Sequence, residues 1–272
     1  MERIIDSPAD SLFRGIGRMV LDAFEYAFNL FLLFVAVARA FGRQVVSARR
    51  RILRDTAYNQ IIFTVVDALP IVGVIALGLG VVVIVQMFSQ LTRLGASEFI
   101  GRILVLVFVR EMSTLLTALL IISRSGSAMS TELGNMRVSQ ETDALEAMGI
   151  DILQFIVLPR AAAAIIGMVC LATFFNLVAI FGGFLVTVVL GMRSGFWVFL
   201  QSILAALSLK DVLIYLGKCV AFGIIIPIVA CYHGLSVQSS PTEVPAQTTT
   251  GIVNSIVLCF MVGALLTVVS YL

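Results

Sequence analysis

Five long apolar stretches constrain this chain more than any other feature. They cover residues 61–88, 99–123, 161–192, 212–235 and 251–272. A helix needs about 20 mostly apolar residues to cross the hydrocarbon core of a bilayer. The sequence therefore predicts an all-α integral membrane protein with five transmembrane helices. The first and third stretches are longer than a span requires, which predicts tilt or a break, and Pro70 with Gly73 could supply the break in the first.

The composition excludes a water-soluble globular protein. Hydrophobic residues make up 60% of the chain and charged residues only 12%, with a mean hydropathy of +1.08. Soluble domains are about 45–50% apolar and about 25% charged. The net charge of +2 gives no indication of a nucleic-acid partner. The four cysteines lie within apolar stretches without C-x-x-C spacing, which predicts small packing residues and no metal site.

The first 58 residues form a segment of different character from the five-span domain at 59–272. Apolar residues recur at helical spacing in the stretch 12–41, but Asp22, Glu25 and Arg39 interrupt it. This pattern favours an amphipathic helix in the membrane interface over a sixth span. The residues that define its apolar face are Phe24, Phe28, Phe31 and Val35.

Arginines near the first span predict the orientation. Six of them precede it, and clusters of Lys and Arg beside a span remain in the cytoplasm. They are Arg39, Arg43, Arg49, Arg50, Arg51 and Arg54. The N-terminus is therefore predicted to be cytoplasmic and the C-terminus to lie on the opposite, periplasmic side. The loop at 124–160 is then cytoplasmic, and the segment at 193–211 is not.

The loop at 124–160 contains a predicted short helix at 139–148. Ser139 is its predicted N-cap, acidic residues fill its first turns, and Gly149 is its predicted stop. Asp143, Ala144, Leu145 and Gly149 approximate the E-A-A-x-x-x-G loop of ABC importer permeases, in which a short cytoplasmic coupling helix contacts the ATPase. An ordinary polar connection between two spans is the alternative.

Charged residues lie inside the predicted spans, and three of them are candidates for a functional role. Arg110 and Glu111 occur in the second span and Lys218 in the fourth. A charge at the bilayer centre costs about 2.5–3.5 kcal/mol on an insertion scale, so such side chains rarely face lipid. Adjacent helical residues point about 100° apart. We therefore expect Glu111 to face Lys218 and Arg110 to face another helix or the periplasmic side. Either the charges lock the helices together or they line a polar cavity.

An ordered series of polar positions in the central third resembles the MlaE/YrbE permease family. The series comprises Arg110-Glu111, residues 124–128, residues 131–137, residues 143–151 and Pro159-Arg160, with a looser likeness at Lys218 and in the threonines at 248–250. Members of this family are the membrane subunits of MCE-type ABC lipid transporters. In one respect the chain departs from the family: Gly263 stands where many members carry an acidic residue.

The resemblance implies the partners and the role of the chain. They are a second permease copy, giving a homodimer, together with ABC ATPase subunits, an MCE-domain protein and a STAS-domain subunit. The implied role is the transport of phospholipid between the inner and outer membranes from the bacterial inner membrane. The chain itself would be no enzyme and would bind no cofactor or metal. ATP and Mg²⁺ belong to the partner ATPase, in agreement with the absence of a G-x-x-x-x-G-K-[ST] motif.

The resemblance also implies two sets of site residues. The predicted lipid pocket consists of Val83, Met87, Gln90, Leu91, Leu94, Arg110, Glu111, Met112 and Lys218. The five residues at 83–94 share a helical face, and ordinary packing between spans is the alternative for them. The predicted ATPase-coupling set consists of Glu132, Arg137, Glu141, Asp143, Leu145, Glu146, Met148 and Gly149.

Three other functions are alternatives to lipid transport. An ABC importer permease for a small polar solute would need more polar groups in its spans than this sequence offers. An intramembrane serine protease would need a serine from the 123–126 segment beside the single histidine, His233. A purely structural assembly subunit is the third alternative.

Overall fold

A computed structural model describes residues 64–93, 100–189, 196–238 and 240–272, together with single positions between 25 and 62. Five of its helices are long and apolar enough to cross a membrane, which confirms the predicted number of spans. They are Val66–Met87, Gly101–Val138, Phe155–Val186, Leu209–Leu235 and Glu243–Tyr271.

Seven helices carry the architecture. We label them α1 (Leu69–Arg93), α2 (residues 100–138), α3 (Glu141–Ala147), α4 (Leu158–Val189), α5 (Phe196–Ala206), α6 (Leu209–Leu235) and α7 (Glu243–Tyr271). Helix α5 lies in the segment for which the sequence predicted only a loop. The long helices α1, α2, α4, α6 and α7 occur in the order of the five predicted spans.

Glycines bring the long helices into close contact. A Cβ added at Gly80 of α1 would lie 2.3 Å from the backbone oxygen of Ala179 in α4. A Cβ at Gly183 of α4 would meet Ile84, and one at Gly223 of α6 would meet the backbone of Ile165. Small residues let helix backbones approach closely in membranes, where van der Waals packing contributes much of the association energy. The main apolar core therefore lies along α1, α2, α4 and α6.

Helix α1 is continuous through Gly73, so the predicted break at Pro70 and Gly73 is wrong in position. A 3₁₀ turn at Val66–Ala68 precedes the helix, and Pro70 is its second residue. Proline is tolerated in the first turn of a helix because those N–H groups have no intrahelical partner. The irregularity therefore lies at the entrance of the span and not within it.

Helix α2 is too long for the membrane alone. The apolar run from Gly101 to Val138 contains 38 residues, or about 57 Å at 1.5 Å per residue, against a hydrocarbon core of about 30 Å. Residues 127–138 belong to the segment predicted as a loop but continue the helix as its final α-helical section. We call this section the stem. Two π-helical segments, Val105–Met112 and Ile122–Gly126, interrupt the regular α-helix before it.

The short helix after the stem confirms one predicted boundary and corrects another. Gly149 has a φ of +73°, and the amide of Ile150 donates to the carbonyl of Leu145 at 3.0 Å, so the predicted stop is confirmed. The predicted cap at Ser139 is wrong. Ser139 ends α2, and Gln140 precedes α3 with a left-handed φ of 58°. The chain turns between the stem and α3, and that turn takes up Ser139, the predicted cap, together with Gln140.

The ends of the helices agree with the predicted alternation. Asp67, in the 3₁₀ turn before α1, forms an ion pair with Arg124 near the stem, 3.1 Å apart. The described positions between 25 and 39 are helical. Phe24, Phe28, Phe31 and the arginines at 43–54 lie outside the described residues, so the predicted interfacial face remains a prediction.

Candidate functional site

Lys218 is the centre of a polar network between three spans. Its side chain is only 1% exposed. The ammonium group donates to Glu111 Oε1 at 2.7 Å, to Thr267 Oγ1 at 2.8 Å and to the backbone oxygen of Arg110 at 3.0 Å. An ammonium group has three donors, and all three are used here. The predicted pairing of Glu111 with Lys218 is thus confirmed.

Arg110 points away from this pair, also as expected. Its guanidinium lies 3.4 Å from Asp211 Oδ1 at the start of α6 and donates to the Ser270 hydroxyl in α7. The ring of Tyr271 lies 4.8 Å from its Cζ, within the range of a cation–π contact. Adjacent charged residues of α2 therefore bind different parts of α6 and α7.

The local backbone explains this arrangement. Arg110 and Glu111 lie in the π-helical segment Val105–Met112, where hydrogen bonds run from i to i+5. Such a wide turn leaves the carbonyl of Arg110 able to accept from Lys218 of another helix. π-Bulges occur frequently at functional sites, where they redirect side chains.

Sequence reasoning missed three members of the network: Asp211, Thr267 and Ser270. Asp211 belongs to a capping box with Ser208, which fixes the first turn of α6 and places the carboxylate beside Arg110. Of these features, only the capping box has a sequence pattern, a serine followed three residues later by an acidic residue. Thr267 and Ser270 resemble ordinary polar residues of a membrane helix, which gave no signal.

Gly263 also acquires a structural explanation. A Cβ at this position would lie 3.1 Å from the ring of Phe222. Thr267, one turn later on α7, has its hydroxyl 3.0 Å from Glu111 Oε1 and 2.9 Å from the Gly263 carbonyl. The last span therefore completes the network with a neutral hydroxyl.

The network lies nearer to the start of α6 and to the end of α7 than to the other ends of these helices. Lys218 follows the start of α6 by nine residues, about 14 Å along the helix, and Thr267 precedes the end of α7 by four residues. Both helix ends lie opposite α3. The Glu111 side chain is 31% exposed whereas Lys218 is buried. One carboxylate of a neutralised network is therefore accessible from outside the protein, where a polar ligand group could reach it.

Of the five predicted pocket residues at 83–94, the structure describes three in full. Val83 and Met87 are half-buried against the main core, as is Met112. Gln90 is exposed. The side chain of Leu91 and all of Leu94 lie outside the described residues, so their part in a lipid pocket remains a prediction.

A second polar site lies at the opposite end, around the stem. Arg160, at the start of α4, pairs with Glu132 at 2.8 Å and donates to the carbonyl of Met129 at 3.3 Å. The Arg160 side chain is 9% exposed and that of Glu132 is 60% exposed. A buried guanidinium thus attaches the stem to the third span.

The short helix α3 is attached to the same stem. Arg137 donates to the carboxylate of Asp143 and, at 3.3 Å, to the Thr142 hydroxyl. Leu145 packs on a small apolar cluster that includes Leu133 of the stem. Glu141, Glu146 and Met148 remain exposed, Met148 at 66%. Helix α3 therefore presents an acidic and apolar surface on a fixed support.

Helix α7 connects the stem to the other spans. The hydroxyls of Thr131 and Thr248 are 3.2 Å apart, and a Cβ at Gly134 would lie 3.1 Å from Val244. Contacts of this closeness between packed helices allow a displacement of α3 and the stem to reach the last span.

His233 does not form the pair that a serine protease would need. Nδ1 lies 3.1 Å from Gln247 Oε1, and Nε2 lies 3.1 Å from both the Tyr26 hydroxyl and the Asn254 amide. A neutral imidazole protonated on Nδ1 satisfies all three contacts. Burial raises the pKa of Tyr26, so its phenol keeps the proton that it donates. His233 binds the N-terminal helical segment to α6 and α7, as a structural polar residue does.

Comparisons with known proteins identify permeases as relatives of this chain. The family model described as Permease MlaE matches residues 57–269. A probable ABC transporter permease protein of Rickettsia typhi is 31% identical over 77% of this chain and 80% of its own length. Another from Synechocystis sp. is 31% identical over 78% of this chain and 80% of its own length. The chloroplastic protein TRIGALACTOSYLDIACYLGLYCEROL 1 of Arabidopsis thaliana is 31% identical over 67% of this chain and 52% of its own length.

Proposed function

Because this chain belongs to the MlaE permease family, and is therefore a membrane-spanning permease of the ABC transporter class, we propose that it transports phospholipid. In this proposal ATP hydrolysis by a partner drives lipid between the inner and outer membranes through an MCE-domain protein. The observation that carries the proposal is the neutralised network at Lys218, with Glu111 accessible at its edge.

The chemistry of the spans favours a lipid over a small polar solute. Apart from the network, the described spans present mainly apolar side chains. A phospholipid needs an apolar surface for its chains and a few polar groups for its headgroup. One relative bears the name of a lipid, trigalactosyldiacylglycerol. Glu111 could accept from headgroup donors such as an amine, and Lys218 beneath it could attract a phosphate.

The stem and α3 are the elements that we propose receive the force of the ATPase. Arg160 and Arg137 fix them to the third span and to each other. Exposed Glu141, Glu146 and Met148 offer acidic and apolar contacts to a groove on the ATPase. The motion would then pass through the contacts of Thr131 with Thr248 into α7, the helix that carries Thr267 of the network.

The remaining partners follow from the same proposal. A second copy of the chain would face the first across a central lipid cavity that includes the predicted pocket residues. The MCE-domain protein would sit at the end that carries the network, in the periplasm, and a STAS-domain subunit would act on the ATPase. The N-terminus would be cytoplasmic and the C-terminus periplasmic, in the bacterial inner membrane.

Reconstituted transport tests the proposed substrate. The chain, with its ATPase and MCE-domain partner, is placed in vesicles containing a fluorescent phospholipid, and ATP-dependent transfer to acceptor vesicles is measured. We expect Glu111→Gln to reduce transfer at least about tenfold, because it removes the most exposed charge of the network, while the exposed control Lys210→Gln leaves transfer unchanged. ATP-dependent uptake of a polar solute without lipid transfer would favour the importer function.

The coupling role of α3 has a separate test. We expect Glu146→Arg to weaken ATPase binding to the detergent-purified chain at least about tenfold, because it reverses an exposed charge at the proposed contact. Unfolding temperature should not change, since exposed substitutions rarely affect stability. Gln238→Arg, also exposed and outside α3, is the control. Equal ATPase binding by Glu146→Arg and wild type would contradict the role of α3.

A further inference from the structure

An apolar groove runs along α6 on a side of the molecule away from the charged network. Its volume is about 520 Å³. One wall is α6, a second is α7, and Leu30 of the N-terminal helical segment closes one side. The residues that define it are Leu30, Gly217, Ala221, Ile224, Ile228 and Val262, and the rest of its lining is equally apolar.

We propose that this groove binds one acyl chain of a membrane lipid, at a site distinct from the transport pathway. A lining without hydrogen-bonding side chains offers nothing to a headgroup or to a polar solute. Hydrocarbon is the chemical class that such a surface accepts. The groove is open on one side and lies along the α6 and α7 spans, where acyl chains are the surrounding solvent.

The length of the groove fits a single chain. Gly217 and Ile228 are 11 residues apart on α6, about 16 Å at 1.5 Å per residue. One leaflet contributes about half of a hydrocarbon core that is about 30 Å thick. The groove is therefore about as long as an acyl chain that fills one leaflet. In this proposal the chain enters beside Leu30, at the end of the molecule where α3 lies, and its terminal carbons lie at Gly217.

Gly217 determines how deep the groove is. A Cβ at this position would meet no atom within 4 Å, in contrast to Gly223 on the same helix, where it would lie 2.6 Å from the backbone of Ile165. Glycine is thus not needed at 217 for packing against another helix, and its absent side chain leaves the space that the chain end fills. Lys218 follows directly but points about 100° away, into the network.

Blocking the groove from within tests the proposal. Gly217→Phe places a ring in the groove, and its Cβ meets no protein atom within 4 Å. Gly78→Phe is the matched control, because a Cβ at Gly78 of α1 also meets no atom within 4 Å, yet it lies outside the groove. Both variants and the wild type are extracted from vesicles of phosphatidylethanolamine and phosphatidylglycerol, and retained lipids are counted by native mass spectrometry.

We expect wild type and Gly78→Phe to retain one lipid through collisional activation and Gly217→Phe to lose it at least about tenfold more readily. Equal retention by all three proteins, or equal loss by both variants, would overturn the proposal. A phospholipid with a photoreactive acyl terminus supplies the second measurement. It should label peptides of α6 near Gly217 in wild type and not in Gly217→Phe, whereas labelling of α6 that is unaffected by the variant would also overturn it.

The outcome is independent of the proposed transport function. The groove includes none of the predicted pocket residues, so lipid retention there does not depend on Glu111 or Lys218. Loss of transfer in Glu111→Gln with unchanged lipid retention would support the transport pathway alone. Loss of retention in Gly217→Phe with normal transfer would support the groove alone.

Discussion

Replacing Lys218 with methionine is expected to lower the free energy of unfolding by about 3 kcal/mol, because removal of one partner leaves a largely desolvated charge uncompensated. Lys218 is 1% exposed and donates to Glu111, to Thr267 and to the Arg110 carbonyl. The measurement is reversible unfolding of the purified chain in mixed micelles. Lipid transfer by the reconstituted complex should be abolished in the same variant.

Two further variants identify the cause of this loss. Lys210→Met removes an exposed lysine of the same helix and should leave stability unchanged. The double variant Glu111→Leu with Lys218→Met should regain most of the lost stability, since an apolar pair of similar volume often replaces a buried ion pair without cost. A double variant as unstable as Lys218→Met alone would show that the unpaired carboxylate is not responsible.

Gly80→Val is expected to prevent normal assembly of the first and third spans. Its Cβ would lie 2.3 Å from the Ala179 carbonyl oxygen and 2.7 Å from the Ala179 Cα, and backbone atoms cannot rotate away as a side chain can. Overpacking of a well-packed core costs about 1–3 kcal/mol, and we expect at least the upper end of that range here. The yield of folded protein in size-exclusion chromatography should fall sharply, together with the unfolding temperature.

The same helix supplies the matched control. Gly78 lies two residues earlier, and a Cβ there meets nothing within 4 Å, so Gly78→Val adds the same side chain without a clash. Both variants introduce the same β-branched residue into the same helix, so their difference reports packing alone. Similar destabilisation by Gly78→Val would mean that helix propensity, and not contact with α4, explains the effect at Gly80.

The sequence predicts only part of the candidate site. Charges inside apolar stretches are so unfavourable that Arg110, Glu111 and Lys218 had to be paired or functional. The 100° between neighbouring helical residues was enough to predict that Glu111 and Arg110 have different partners. Asp211 escaped prediction because it lies just outside the apolar core of its span, and Thr267 because a hydroxyl in a membrane helix usually satisfies its own backbone.

The sequence predicts the end of the short helix α3 correctly but not its start. Its acidic first turn and its end at Gly149 can be predicted from the sequence, since both depend on a few neighbouring residues. Its start cannot, because the position of the turn depends on how far the stem continues beyond the membrane. That length is set by Arg160 and α7 packing against the stem, contacts between residues distant in sequence.

The sequence by itself determined the class of the protein, the number of its spans and the residues whose charge demanded a partner. Apolar length and the energetic penalty of charge in lipid are properties of each segment alone, so they can be read without a fold. Only the tertiary structure decided which helices meet at Gly80, which groups complete the network at Lys218, and where the groove at Gly217 lies. Those features depend on the relative rotation and depth of packed helices. Close contacts between backbones and side chains from different helices fix them, and no single segment encodes such contacts.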